Sequence, residues 1–390
     1  MANVLRSQGR FAEARDLDTY VLERQREVLG ADHPYSLMTA GGLAADLRAL
    51  GYFQEALASD RDTYESFREQ FGADTERALA AAHNLASSLR LVGDYFAARH
   101  LDQETLDRQR RALPPNHPNT LLSAASLALD MRAAGAFRES VDLLRVTWEQ
   151  YRAVLGDEMP ETLRTAVSLA VSLRKAGEQA EAMNLAQDTY ERYLRRYGSG
   201  SPDAQSCALN LACDYAAVDD MPKALGLVTE VMAALQATLG DDHPNTMVAA
   251  NNLACYLRAI GRLPEALALT EKTLQEMRRR LGDLHPLALS AAVNLASCQG
   301  DSGNTASAEE LMRETASRLG EVLTPDHPDT LVCRANLAVT LHDAGRDDEA
   351  EELRITILGE FSRVLGAGHP DGTQLRKWQR INRDLEPQVI

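Results

Sequence analysis

The chain has 390 residues, of which 45% are hydrophobic, 25% charged and only 5% aromatic. Its formal net charge of −16 should repel phosphate backbones, so nucleic acid is excluded as an expected partner. The five cysteines (Cys207, Cys213, Cys255, Cys298, Cys333) are odd in number and form no CxxC pair, which argues against a disulfide framework or a structural zinc site. No apolar run approaches 18 residues and no signal-peptide core opens the chain, so no membrane association is expected and the cytoplasm is the expected compartment.

A period of 42 residues organises everything else. Pro118, Pro160, Pro202, Pro244, Pro286, Pro328 and Pro370 are each one period apart, with Pro34 two periods before Pro118. Gly9, Gly51, Gly93, Gly135, Gly177, Gly261, Gly303 and Gly345 form a second column in which Asp219 fills the one gap. Two backbone punctuators in phase over the whole length imply a solenoid of stacked units sharing one elongated core.

In chain order, residues 1–30 read as a partial first repeat, since only Asn3 to Gln8 precede Gly9. Either a shortened cap or a piece of a longer protein would begin so. Residues 31–366 read as eight repeats. The stretch 242–281 illustrates the unit. Pro244 suits the first position of a helix, where a missing N–H costs nothing. Met247, Val248, Ala250, Leu253, Ala254 and Leu257 then recur at helical spacing, and Gly261 ends the helix in a left-handed conformation. A second helix opens at Leu263-Pro264 and runs to Leu281, before Gly282. Pro114-Pro115 and Thr324-Pro325 replace the usual Leu-Gly exit of the second helix. Residues 367–390 read as a capping helix and tail, with a polar, solvent-facing helix from Asp371 to Asp384 carrying Trp378.

Asn251-Asn252-Leu253-Ala254, Gly261, Pro264-Glu265-Ala266 and Leu281-Gly282 resemble tetratricopeptide repeats. The 42-residue length and the connector Leu-Gly-x-x-His-Pro (Leu239 to Pro244, Leu281 to Pro286) resemble the kinesin-light-chain-like subclass. The Leu47 to Gly51 style is similar to actinobacterial members, among them the repeat component of FxSxx-COOH peptide-modification systems and the arrays of signalling NTPases. The resemblance implies an all-α, right-handed α–α superhelix of about nine repeats, whose first helices line a concave groove.

No Walker loop, G-x-G-x-x-G, H-E-x-x-H or nucleophile elbow occurs, so no enzyme and no cofactor is expected. His33, His117, His243, His285, His327 and His369 recur just before the proline. Equivalent side chains in packed helices sit about 10 Å apart, too far to share an ion, so helix capping is expected and no metal.

One column bears charge. Three residues before the turn glycine stand Arg6, Arg48, Arg90, Arg132, Arg174, Ala216, Arg258, Gly300 and His342. By the resemblance this column faces the groove, where arginines would suit an acidic peptide or a carboxylate. Pairing with Asp18, Asp60 and Asp102 is the alternative for Arg48, Arg90 and Arg132. The second-helix positions corresponding to Arg174 and Arg258 hold no carboxylate, so these two and Lys175 are the expected free anion site. The next positions after the column end as Gly300-Asp301 and His342-Asp343, so the groove is expected to turn from basic to neutral or acidic.

Asparagines recur at Asn84, Asn210, Asn252, Asn294 and Asn336, with Ser126 and Ser168 substituting and Asn251 adjoining. The resemblance implies that such amides hold a bound peptide's backbone; hydrogen bonding between helices is the alternative. The expected function is a non-catalytic scaffold binding an extended, acidic peptide or protein segment. Two alternatives stand beside it, a sensor array of a larger signalling ATPase or modification system, and a self-associating array.

Overall fold

A computed structural model describes residues 1–388, apart from the side chain of Ser7. Among the described residues there are 19 helices and no strand. They are α1 (Ala2–Ser7), α2 (Phe11–Leu29), α3 (Pro34–Ala49), α4 (Phe53–Phe71), α5 (Glu76–Leu91), α6 (Tyr95–Ala112), α7 (Pro118–Ala133), α8 (Phe137–Leu155), α9 (Pro160–Lys175) and α10 (Gln179–Tyr197). There follow α11 (Pro202–Ala217), α12 (Met221–Leu239), α13 (Pro244–Ala259), α14 (Leu263–Leu281), α15 (Pro286–Asp301), α16 (Thr305–Val322), α17 (Pro328–Asp343), α18 (Asp347–Val364) and α19 (Pro370–Arg376). Odd-numbered helices are the first of each pair and even-numbered the second. No helix among the described residues is long and apolar enough to cross a membrane.

As far as α18 the expected proline starts and glycine stops are present, with a physical reason for each. His33, His117, His243, His285, His327 and His369 sit in extended backbone as N-caps, and each Nδ1 accepts from the N–H two residues on, at 3.1 or 3.2 Å. Capping is therefore their role, one helix-start donor satisfied per repeat. The turn between paired helices needs a left-handed residue. Gly135 supplies it at φ +83, and Asp219 adopts φ +64 in the one repeat without glycine.

Packing follows the same period. Ala14, Ala56, Ala98, Ala182, Ala224, Ala266, Ala308 and Ala350, at equivalent second-helix positions, are all fully buried. A methyl group is what lets paired helices approach this closely. Ser140 takes the place in one repeat and returns its hydroxyl to the carbonyl of Ala128 at 2.7 Å, so no polar group is stranded.

The helices form two compact units, one built chiefly from Met1–Leu169 and Glu191–Ala204, the other from Ala170–Tyr190 and Gln205–Pro387. Within the first, each helix from α1 to α8 packs on the next, and α3, α5 and α7 also touch in succession. Within the second, the same holds from α12 to α19, with α13, α15, α17 and α19 in succession. In the first unit Pro202 packs against the turn glycine Gly9, where a Cβ would lie 3.5 Å from its Cγ. In the second, Pro370 packs against Gly177 in the same way, 3.0 Å from its Cδ. Each unit thus curls until its first turn meets a later helix start.

The C-terminal part differs from expectation. The helix from Asp371 to Asp384 does not form: α19 ends at Arg376, Trp378 turns the chain at φ +55, and residues 379–388 run without helix. Burial then alternates residue by residue from Ile381 to Gln388, the signature of an extended chain with one face covered. The physical reason lies on the first helices of the second unit.

Candidate functional site

The column of asparagines holds a backbone. Asn336 Nδ2 donates to the carbonyl of Ile381 at 2.9 Å, and its Oδ1 accepts from the N–H of Ile381 at 2.8 Å. Asn294 makes the same pair with Arg383 (2.9 and 3.1 Å), and Asn252 with Leu385 (2.9 and 2.8 Å). An amide side chain carries one acceptor and a two-hydrogen donor, so it can bond both polar groups of a single residue. Alternate residues of an extended strand present those groups on one side, about 6.7 Å apart, and successive first helices on the inside of a curve offer matching amides. The three amides are buried. Asn251 braces this ladder, accepting from Asn294 Nδ2 at 3.1 Å and donating weakly to the Arg383 carbonyl at 3.4 Å.

The remaining groove residues seat the side chains of the same segment. Gly300 stands in the arginine column, and a Cβ there would lie 2.9 Å from the Arg380 Cζ, so the missing side chain is the slot for that guanidinium. Arg380 reaches Asp301 at 2.6 Å and Asp343 at 2.7 Å. His342, also in the column, stacks on Trp378 with ring centroids 4.3 Å apart, and the Arg354 guanidinium covers the same indole at 4.8 Å. Arg383 pairs with Asp329, and Arg258 bonds Asn382. At the other end Lys175 faces Glu386 at 3.7 Å, and its carbonyl accepts from His369 Nε2 at 3.0 Å. Burial raises the pKa of Asp384, and Arg174, Lys175 and Arg383 counter it. Burial and Arg383 together bring Lys175 down to about 8.

The arginine column is more fully paired than the sequence suggests. In the first unit Arg6 pairs with Asp18 and Asp46, and Arg48 with Asp60, the carboxylate of its own helix pair rather than of the neighbouring repeat. Arg90 takes Asp130 at 2.6 Å from the next first helix, and Arg132 donates to the Ser168 carbonyl at 3.1 Å. Asp102 is fully buried beside Ser126 and Asp130; burial and the charge of Asp130 push its carboxyl well above the usual range. Asn84 belongs to this unit and is half-buried.

The expectation that Arg174 and Arg258 lack a carboxylate is corrected in the second unit. Arg174 Nη1 pairs with Asp214 at 2.9 Å and the Asn210 carbonyl at 3.2 Å, and Arg258 pairs with Asp301. Both carboxylates come from first helices, not from the second-helix positions that hold none. The signal was available: Asp46, Asp130 and Asp214 stand at one repeat position. The ladder's occupant gave no such signal, because nothing periodic marks residues 379–388.

A family profile described as tetratricopeptide repeat matches residues 1–69, 77–147, 204–279, 256–319 and 287–353, and a second profile of the same description matches 162–203. No curated protein matches the sequence significantly. Among solved structures, the chain is similar to a Rap protein complexed with competence and sporulation factor, at 12% identity and TM-score 0.59 over 88% of this chain and 96% of that one. It is similar also to the apo form of the quorum sensor NprR from B. thuringiensis, at 12% identity and TM-score 0.55 over 92% and 99%. Kinesin light chain repeats from Podospora anserina are 25% identical, with TM-score 0.43 over 53% and 97%. With these profile matches over most of its length and its helix pairs stacked in register, the chain belongs to the tetratricopeptide repeat family.

Proposed function

We propose that this protein is an interaction scaffold that binds an extended peptide or protein segment along the first helices of its second unit. The single observation that carries this reading is the set of paired bonds from Asn252, Asn294 and Asn336 to alternate backbone residues of the chain itself. Such bonds recognise extended backbone whatever its side chains, so a segment of another protein can use them equally. Charge then selects among such segments. Asp301, Asp329 and Asp343 favour a basic residue near the ligand's start, and Arg174 and Lys175 favour acidic residues toward its end. The fold is shared with a Rap protein whose structure is a complex, which suits the reading. Arg48, Arg90 and Arg132, engaged between helices, act in stability rather than in binding.

The test is fluorescence anisotropy of a labelled, extended peptide with a basic start and an acidic end on a chain ending at Trp378. Asn252→Ala and Asn294→Ala are each expected to weaken binding about tenfold, from the loss of two backbone hydrogen bonds apiece. Equal affinity in all three proteins, with folding verified by circular dichroism, sinks the proposal. A salt-sensitive dimer of the full chain in light scattering would instead indicate exchange of residues 379–388 between copies.

A further inference from the structure

The segment in the groove fits unequally along its length. From Trp378 to Arg383 every charged or aromatic side chain has a partner, with Arg380 Nε alone among their described polar atoms buried without a hydrogen bond: indole on His342 and Arg354, Arg380 on Asp301 and Asp343, Arg383 on Asp329. Around Asp384 to Pro387 several buried polar atoms have no hydrogen-bond partner among the described residues. They include Asp384 Oδ1, Arg174 Nη2, Asp214 Oδ2 and Asn210 Oδ1.

Register explains the last of these. The partner steps back one repeat each time the segment advances two residues, from Asn336 with Ile381 to Asn294 with Arg383 and Asn252 with Leu385. The next rung sets Asn210 against residue 387. That residue is Pro387, which has no N–H to give. Asn210, only 6% exposed, turns its Nδ2 back to the Ser206 carbonyl of its own helix at 3.1 Å and keeps a bare acceptor. A buried acceptor without a donor is a standing cost that a better ligand would remove. Arg174 is similar: Nη1 serves Asp214 and the Asn210 carbonyl, whereas Nη2 is idle, and Asp384 attracts it without a hydrogen bond.

We propose that residues 379–387 are a self-ligand that stops one rung short, and that the external partner is an extended peptide segment with an N–H opposite Asn210 and a carboxylate reaching Arg174, which displaces residues 384–387. This rests on the reading of the asparagines as a peptide site. Pro387 keeps the self-ligand weak at the end where exchange begins. The anchors at Trp378 and Arg380 hold the displaced stretch nearby, so the groove closes again when the partner leaves.

The full chain serves for the test, with amide exchange read residue by residue. Pro387→Ala supplies the missing N–H; its exchange should slow at least tenfold relative to an unstructured peptide, and adding Asn210→Ala should abolish that protection. An unprotected residue 387 in the single variant overturns the fourth rung. For displacement, two synthetic peptides are added to the unaltered chain. One carries the native sequence of residues 379–388, the other that sequence with Asp384→Glu and Pro387→Ala. The second should speed exchange at the Leu385 amide about tenfold more than the first. Equal effects, or none, overturn the displacement while leaving the ladder reading intact. Free exchange at Ile381, Arg383 and Leu385 in the unaltered chain removes the ladder reading itself.

Discussion

The same repeat builds two different inner faces. In the first unit the ladder position holds Asn84, Ser126 and Ser168, and the arginines beside it are spent on Asp18, Asp46, Asp60 and Asp130 between helices. In the second the position is asparagine four times running, and the arginine column breaks at Gly300 and His342 where Arg380 and Trp378 enter. An unbroken amide column together with gaps in the arginine column marks the face that holds the segment.

The comparison can be broken most sharply at the ladder. Asn252→Ala with Asn294→Ala removes four backbone hydrogen bonds and should cost about 3 kcal/mol of segment docking. Exchange protection at Arg383 and Leu385 reads the loss. Ser126→Ala with Ser168→Ala, at the equivalent places in the first unit, should leave those amides as protected as before. Equal loss from both pairs would erase the distinction between the faces.

The first unit carries its own liability. Asp102 is buried beside Asp130, with His83 Nδ1 4.0 Å away. Its folded carboxyl pKa is raised, so it favours the folded state at acid pH, and that contribution fades as pH rises through the raised value. Asp102→Asn removes the fading and should stabilise the protein at neutral pH, with the gain shrinking toward pH 4. His83 works in the opposite sense. Burial, with Arg90 and Arg48, lowers it to about 4, so stability is lost as pH falls from 6.5 toward 4. Denaturant melts across this range separate the two: the Asn variant should retain the acid loss and abolish the alkaline one.

Smaller effects sharpen the contrast further. Gly300→Ala places a Cβ against Arg380, whose flexible guanidinium must leave Asp301; about 1 kcal/mol of docking should be lost, seen as a change in Trp378 fluorescence. Asp219→Gly relieves the one non-glycine turn and should raise stability by at most about 1 kcal/mol, with no change at the segment. A drop in melting temperature would mean that the Asp219 side chain contributes more than its backbone costs.

Much of this was legible from spacing alone. The prolines, histidine caps and turn glycines act through their own backbone or the next two residues, so local chemistry identifies them. The arginine column was equally visible, but its partners were not, since Asp214 and Asp301 lie a repeat away in sequence and meet Arg174 and Arg258 only once the first helices pack. Asparagine is ambiguous by nature, as the same amide can join helices or hold a strand. The tail departs from expectation for a related reason: Asp371 to Asp384 has the composition of an exposed helix, and nothing local forbids one.

The 42-residue period thus determined by itself the helices, their caps and the turns that join them, because each of those depends on bonds within a few residues of the chain. Only the tertiary structure decided the course of residues 379–388, because six backbone hydrogen bonds to Asn252, Asn294 and Asn336 and a slot at Gly300 outweigh a helix that would have satisfied the backbone locally. Those partners come from three repeats at once, and they exist as a set only after the repeats have packed.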